Sequence, residues 1–255
     1  MTKTRVVSIL NLVTFLMMIT INVLATIGLL GNTTAQIAND TPNLMMPIGM
    51  TFQVIWTLIY VLLLIYTVYQ LVKHDNESVK RISIYYLMTN ILNIAWIASF
   101  HANLILVSTV IIIGLLASLY VLVNKMGKAN RFIKATFNIY YAWITVASVV
   151  SIFSLISSLN TKLYDSLLMR LLTIGSMVVL VILTYIRRKE FAYTLTILFA
   201  MIGIIAKHNF EYMNRYPEIV TMGIIVVILG IFISLISFVE MNSVSSKKLL
   251  RSGAK

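Results

Sequence analysis

Three tryptophans are the residues of this 255-residue sequence whose spacing most suggests a binding site. Each has aromatic, amide or small neighbours three or four positions away, which places them on one face of a helix. The three groups are Phe52, Trp56 and Tyr60; Asn93, Trp96 and Phe100, with Thr89 and Asn90 alongside; and Tyr140, Trp143 and Ala147. Aromatic walls with a few amide and hydroxyl groups suit a large, flat, mostly apolar ligand. The spacing leaves open ordinary helix packing, with Asn90 and Asn93 as interhelical hydrogen-bonding residues.

Catalytic side chains are sparse in the sequence. Cysteine is absent, which excludes disulfides, thiolate metal sites and cysteine nucleophiles. The three histidines, His74, His101 and His208, lie in or beside predicted loops, without paired carboxylates or metal-ligand spacing. His101 follows Phe100 at the mouth of the pocket. We interpret it as an exposed loop residue, with contact to a ligand as the alternative. An enzyme acting on a membrane-dissolved substrate is therefore poorly supported, and no metal or certain cofactor is predicted.

The elements that position these residues must be membrane-spanning helices. Apolar residues make up 60% of the chain and charged residues 11%, whereas a soluble domain carries about 25% charged residues. A span needs about 20 apolar residues. Eight stretches qualify: 6–30, 51–72, 82–100, 104–123, 133–156, 166–186, 190–206 and 219–240. The sequence thus predicts an all-α, polytopic transmembrane helical bundle of about eight spans.

The middles of the predicted spans carry no ionisable residue. Arg170 lies about one turn from a span end, and Glu240 is at a span end. An ion-coupled transporter usually needs buried carboxylates, and a retinal protein needs a mid-span lysine. All three prolines, Pro42, Pro47 and Pro217, lie in predicted loops, which argues against broken helices. Coupled transport is therefore disfavoured.

Basic residues alternate strongly between the two sides of the predicted spans. One side has Lys3 and Arg5; Lys73, Lys80 and Arg81; Lys125, Lys128, Arg131 and Lys134; Arg187, Arg188 and Lys189; and Lys247, Lys248, Arg251 and Lys255. The other side has only Lys162, Arg170, Lys207 and Arg215. The net charge of +12 is therefore typical of topogenic signals rather than of nucleic-acid binding. We expect both termini in the cytoplasm, in a bacterial plasma membrane.

The chain divides into three predicted parts: a five-helix bundle at 1–158, three further helices at 159–242, and a basic cytoplasmic tail at 243–255 that lies near anionic lipid. The connection from Gly31 to Met50 follows the first span, on the side opposite the termini. This connection is interpreted either as a lid over the mouth of the pocket or as a solvated linker.

The stretch PIGMTFQVIWTLIY, residues 47–60, resembles a signature of the TspO/MBR family. These are the tryptophan-rich sensory proteins, related to the mitochondrial translocator protein. The family pattern there is approximately P-P-x-W-x-F-x-P-x-W-T-x-L-Y. Asn93 to Trp96 followed by Phe100 resembles the family's N-x-x-W…F segment, and Tyr140 to Trp143 followed by Ala147 resembles its Y-x-x-W-x-x-x-A segment. The resemblance covers about residues 6–156 and leaves the last three spans as a C-terminal extension.

The resemblance implies a five-helix bundle with a pocket that opens toward the first loop and is closed by it. Relatives bind porphyrins such as haem and protoporphyrin, and isoquinoline or benzodiazepine-type drugs. By position, the ligand-binding residues would be Phe52, Trp56, Tyr60, Asn93, Trp96, Phe100, Tyr140, Trp143 and Ala147. The sequence departs from the pattern at Met50, where the family has tryptophan, at Ile48 and Val54, where it has proline, and at Ser151, where an asparagine is frequent.

Two functions remain open at this point. The first is a small-molecule binding or sensory membrane protein for a porphyrin-like or other flat hydrophobic ligand. The second is a transporter or permease for an uncharged or lipophilic solute. The expected partners are membrane lipid, the ligand and, as a candidate, a second copy of the chain in a homodimer. The three C-terminal helices would either cover the bundle face that five-helix relatives use for dimerisation or form a separate interaction module.

Overall fold

The computed structural model describes residues 3–40, 42–74, 76–187 and 189–252, without the side chains of residue 39 and residues 240–252. Within these ranges the secondary structure is helical. The helices are α1 (Lys3–Thr26), α2 (Thr34–Asp40), α3 (Gly49–Val72), α4 (Glu77–His101), α5 (Ile105–Lys125), α6 (Arg131–Leu159), α7 (Leu167–Ile186), α8 (Phe191–Phe210) and α9 (Pro217–Ser252), with a 3-10 turn at Thr161–Leu163.

Eight of these helices are long and apolar enough to cross a membrane. Each coincides with one of the eight stretches predicted from the sequence, so the polytopic helical bundle is confirmed. The short α2 is the exception, since it lies in the connection between the first two spans. The prediction set the end of the seventh span at residue 206, but α8 continues to Phe210.

Polar side chains at the helix starts explain several of the boundaries. The Asn76 side chain accepts hydrogen bonds from the backbone N–H groups of Ser78 and Val79 at the start of α4. Asn130 caps α6 through the N–H of Ile133, and Ser166 caps α7 through the N–H of Met169. Such caps satisfy backbone donors that have no partner within the helix.

The helices form two packed groups. In the first group, α1 packs against α3 and α4, α4 against α5, α5 against α6, and α6 against α3. In the second group, α9 packs against both α7 and α8. The groups meet where α8 packs against α6 and α3. We call the first group, α1–α6, the bundle and the second, α7–α9, the C-terminal unit.

The connection between α1 and α3 packs onto the bundle. It begins after Gly28 and Gly31, whose positive φ angles of 80° and 106° end α1 in a turn. Beyond α2, the side chains of Asn43, Leu44 and Met45 are buried. This burial agrees with the lid interpretation and not with a solvated linker. We call residues 34–48, with α2, the lid, and its side of the bundle the lid end; the opposite side is the basic end.

The division into parts at residues 158 and 242 remains a prediction. The backbone of α9 continues through residue 252, while the side chains of the predicted basic tail and residues 253–255 lie outside the described residues.

Candidate functional site

Four aromatic rings form a continuous stack between α3 and α4. The Tyr60 and Trp56 ring centroids lie 5.3 Å apart with an interplanar angle of 24°. Trp56 stacks on Trp96 at 5.7 Å and 21°, and Trp96 stacks on Phe100 at 5.9 Å and 24°. The spacing of four residues within each helix brings the rings of that helix together, and packing α3 near α4 joins the two pairs. The result, which we call the ring stack, presents nearly parallel aromatic planes.

Other rings meet this stack by their edges, centred on Trp56. Trp143 and Tyr140 of α6 each lie 6.3 Å from Trp56, at 87° and 66°. Phe52 lies 6.2 Å from Trp56 and 5.8 Å from Trp143. Edge-to-face and offset-stacked geometries are the favourable ones for aromatic pairs. The aromatic residues of the three groups that the sequence singled out on separate helices therefore form one cluster.

Two cavities adjoin the ring stack. The lid cavity lies under the lid, between α3, α4, α5 and α6, with a volume of about 50 Å³. The α1 cavity is larger, about 370 Å³, and lies between α1, α2, α3 and α4. Phe52 and Trp96 line both cavities. Ligand sites usually measure about 300–1,000 Å³. The α1 cavity therefore has the size of a small-molecule site, whereas the lid cavity is too small for one.

Most of the predicted ligand-binding residues line these cavities. Phe100, Trp143 and Ala147 line the lid cavity, and Trp56 and Tyr60 line the α1 cavity. Asn93 and Tyr140 line neither cavity. The Asn93 amide accepts a hydrogen bond from Asn22 at 2.9 Å and donates one to the Tyr140 hydroxyl at 3.0 Å. These two residues form a buried polar layer next to the ring stack. Ligand binding by all nine residues remains a prediction.

The polar groups at the cavities are mostly neutral. Asn22, Thr26, Gln53 and Thr57 line the α1 cavity, and the lid cavity is lined by Asn103, Ser108, Thr109, Ser151 and Ser154. The indole N–H groups of Trp96 and Trp143 are buried and have no hydrogen-bond partner among the described residues. An unpaired buried donor is costly.

Two side chains fasten the lid to the bundle. The Thr34 hydroxyl lies 3.0 Å from Nε2 of His101, which joins α2 to the end of α4. The Asn43 side chain donates to the Val150 carbonyl at 2.8 Å and to the Ser154 hydroxyl at 2.9 Å, both on α6. His101 is therefore a half-buried lid contact, and its interpretation as an exposed loop residue was wrong because α2 covers it.

The C-terminal unit also contacts the lid. The N–H of Ile48 donates to the Gly203 carbonyl of α8 at 3.0 Å. Nε2 of His208 lies 2.9 Å from the Leu44 carbonyl, and the Tyr212 hydroxyl lies 3.5 Å from the Asn43 carbonyl. A Cβ at Gly203 would collide with Thr51, so α8 approaches α3 at this glycine. The sequence placed His208 beside a loop, but it is fully buried because the lid lies over the last turn of α8.

Charged and phenolic side chains join the loop between α8 and α9 to the start of α7. The Tyr216 hydroxyl donates to Asp165 at 2.7 Å, and Arg215 pairs with the same carboxylate. Arg170 pairs with Glu218 at 2.9 Å. Burial and the Asp165 carboxylate raise the pKa of Tyr216, and burial together with the neighbouring Tyr164 hydroxyl raises the pKa of Tyr212. Both phenols therefore stay protonated at physiological pH.

The sequence reasoning missed the residues that α1, α2 and α5 contribute. Asn22 was detectable, because an amide in an otherwise apolar span needs a polar partner. Ser108 and Thr109 of α5 gave no such signal, because a hydroxyl within a helix often bonds to its own backbone, as both do here with Ile105.

The sequence matches the family model described as TSPO-like protein over residues 8–237. The match includes α7–α9, so the last three spans lie inside the matched region and not outside it, as the shorter resemblance suggested. Comparison with curated proteins found no match. Comparison with solved structures also found none. Since the family match covers most of the chain and eight of the described helices are long and apolar enough to cross a membrane, the chain is an integral membrane protein that belongs to the TSPO-like family.

Proposed function

We propose that the chain is a membrane small-molecule binding or sensory protein whose pocket takes a flat, hydrophobic, porphyrin-like ligand. The observation that carries this proposal is the ring stack beside the 370 Å³ α1 cavity. Trp56, Trp96 and Tyr60 line that cavity, so a flat ligand would meet aromatic side chains already fixed by their neighbours. Rigid aromatic surfaces bind such ligands at a low entropic cost.

Phe52 gives the pocket a way to enlarge. Its side chain lines both cavities and contacts Trp56 and Trp143 only by ring edges. Rotation of this half-buried ring would join the lid cavity to the α1 cavity. A ligand wider than the α1 cavity would then contact Trp143, whose side chain lines the lid cavity.

Most positions at which the sequence departs from the family pattern do not line the two cavities. Met50 stands where the pattern has tryptophan, but it is 74% exposed and lines neither cavity. Val54 replaces a proline and is also exposed. Ser151 does line the lid cavity. The three tryptophans of the chain are all retained in the cluster, which supports binding of a ring-shaped ligand.

Binding is favoured over passage of a solute by the layer next to the ring stack. Hydrogen bonds link Asn22, Asn93 and Tyr140 across α1, α4 and α6. A transported solute would have to break this layer. The transporter alternative predicts flux in proteoliposomes, whereas the binding proposal predicts occupancy without flux.

The direct test is titration of the purified protein in nanodiscs with protoporphyrin, followed by intrinsic tryptophan fluorescence. All three tryptophans lie in the cluster, so occupancy should give saturable quenching in the low micromolar range. Tyr60→Ala should weaken binding about tenfold, because it removes an end ring of the stack that lines the α1 cavity. Phe199→Ala is the matched control, since Phe199 is equally half-buried but lies on α8 and lines neither cavity.

Three results would contradict the proposal. The first is quenching that rises linearly with ligand, as in free tryptophan. The second is equal loss of affinity in Tyr60→Ala and Phe199→Ala. The third is ligand-dependent flux with the wild-type chain, which would favour the transporter.

A further inference from the structure

Apart from the indoles, the polar side-chain groups that line the α1 cavity are amides and hydroxyls. Among the described residues they belong to Asn22, Thr26, Thr34, Gln53, Thr57 and Tyr60. Such groups are uncharged at physiological pH. A carboxylate or an ammonium group of a ligand would therefore find no counter-ion among these lining residues.

Several of these side chains already use their N–H or O–H groups within the protein. The Thr26 hydroxyl donates to the Asn22 carbonyl at 2.8 Å, and the Thr57 hydroxyl donates to the Gln53 carbonyl at 2.8 Å. The Asn22 amide nitrogen likewise donates to two oxygens of the bundle. The two threonines therefore have only acceptor capacity left for a ligand. A carboxylate, which also only accepts, does not match them.

The Gln53 amide is the polar group best placed to contact a ligand. Gln53 lines the α1 cavity in the first turns of α3, and its side chain is exposed. The side chain makes no hydrogen bond to another described residue. Its NH₂ group can donate and its oxygen can accept, so it matches an uncharged polar group such as an ester, an amide or a hydroxyl.

Lipid adjoins one wall of the α1 cavity. Val23 lines the cavity and is exposed on α1, which is long and apolar enough to cross a membrane. A charged group is costly at such a position unless it is paired. The start of α3 at Gly49 also lines the cavity. A helix start supplies only about half an elementary charge, which does not balance the two carboxylates of protoporphyrin.

The basic residues at the lid end do not line either cavity. Arg170, Lys207 and Arg215 each pair with a carboxylate, and all three belong to the C-terminal unit or its loops. Lys162 is exposed in the 3-10 turn after α6. The ionisable residue of the lid itself is Asp40, an acid. An anionic group that extended from the α1 cavity toward the lid would therefore approach a carboxylate.

On the basis of the function proposed above, we infer that the α1 cavity takes an uncharged ligand and that Gln53 contacts the polar group of that ligand. A neutral polar group forms hydrogen bonds with the Gln53 amide and needs no counter-ion. A free carboxylate would lose its hydration without gaining a cation. The ligand class is therefore that of neutral tetrapyrroles and other uncharged, flat, polycyclic compounds that dissolve in lipid.

The first test compares protoporphyrin with its dimethyl ester, which keeps the flat ring and removes both charges. Both compounds are titrated against the full-length protein in phosphatidylcholine nanodiscs and followed by tryptophan fluorescence. Each affinity is corrected for partition into protein-free nanodiscs. We expect the ester to bind at least about tenfold more tightly, because an unpaired charge costs at least the equivalent of that factor.

The outcomes separate this inference from the proposed function. Equal affinities, or tighter binding of the diacid, would overturn the inference and leave the proposed function standing. If neither compound gives saturable quenching, the proposed function fails and the inference fails with it.

The second test supplies a counter-ion through Gln53→Lys. The position is exposed, so the fold should tolerate the change, and the preference for the ester over the diacid should fall at least about tenfold. Val54→Lys is the matched control, because Val54 is the next residue, is exposed and lines neither cavity. Its ratio of affinities should equal that of the wild type. An unchanged ratio in Gln53→Lys, or an equal change in both variants, would overturn the assignment of Gln53.

Discussion

The bundle and the C-terminal unit bury different kinds of side chain. The bundle buries tryptophans, tyrosines and amides, including Trp56, Trp143 and Asn93. Both groups bury methionine and aliphatic side chains, such as Leu63 and Met177, but the buried tryptophans and amides among the described residues all lie in the bundle and its lid. Both cavities are lined by residues of the bundle and its lid, and none of their lining residues comes from α7–α9. The bundle therefore carries the candidate binding chemistry, while the C-terminal unit is packed as a support.

The C-terminal unit supports the bundle at the lid, where residues of α8 form hydrogen bonds with lid residues. Ile48 donates its N–H to the Gly203 carbonyl, and His208 reaches the Leu44 carbonyl. The family pattern has proline at the position of Ile48, and proline has no N–H to donate. In this chain Ile48 replaces the proline and has an N–H, and the Gly203 carbonyl of α8 accepts its hydrogen bond. The lid contacts of the C-terminal unit come from α8 and the loop after it, while α8 also packs behind the pocket walls α3 and α6 without lining either cavity.

The largest expected effect is that of Trp56→Ala in the bundle. Trp56 contacts five other rings, so its loss should destabilise the fold by about 3–5 kcal/mol and abolish protoporphyrin binding. Met201→Ala is the matched change in the C-terminal unit and should cost about 2–5 kcal/mol while leaving the affinity within a factor of a few. Thermal unfolding and fluorescence titration measure both. Equal losses of affinity in the two variants would contradict the assignment of the binding site to the bundle alone.

Gly203→Ala should give the next largest effect, by separating the two groups. The added Cβ would collide with Thr51, so α8 must move away from α3 at a cost of about 1–3 kcal/mol. We expect a lower unfolding temperature and faster hydrogen exchange at the Ile48 amide. Gly175→Ala is the control, since nothing lies within 4 Å of its added Cβ, and it should stabilise α7 by up to about 1 kcal/mol. If both variants behave alike, close packing at Gly203 is not what joins the groups.

His208→Phe should loosen the lid with a smaller effect on global stability. The substitution removes the group that bonds to the Leu44 carbonyl and leaves a buried acceptor unpaired, at a cost of about 1–2 kcal/mol. Hydrogen exchange over residues 43–48 should accelerate several-fold, and ligand dissociation should be faster. Thr194→Val in the same helix is the control, because its buried hydroxyl has no partner among the described residues. If hydrogen exchange is unchanged in His208→Phe, the contact from the C-terminal unit does not hold the lid in place.

The smallest expected effect is a dependence of stability on alkaline pH. Burial and Asp165 raise the pKa of Tyr216 in the folded chain, while an unfolded tyrosine titrates near about 10. The proton is therefore held more tightly when folded, so this stabilisation is complete below about pH 10 and is lost as the pH rises toward the folded pKa. Tyr216→Phe should reduce the fall in unfolding temperature between neutral and strongly alkaline pH. Tyr120→Phe, at an exposed tyrosine, should leave that fall unchanged.

The number and approximate bounds of the spans could be read from the sequence, because the length of an apolar run has to match the membrane. The grouping of Phe52, Trp56 and Tyr60 on one face of α3 also followed from the spacing alone. The lid helix α2 was not predicted, because a seven-residue polar segment carries no clear periodic signal.

Helical spacing decides which residues share a face of their own helix, and the sequence by itself determined that much of the site. Only the tertiary structure decided which faces meet. It turned Asn93 and Tyr140 toward each other, so the two line neither cavity. It also placed His208 against Leu44, more than 160 positions earlier in the chain. Contacts of this kind depend on how helices pack in three dimensions, and no local pattern in the sequence specifies that packing.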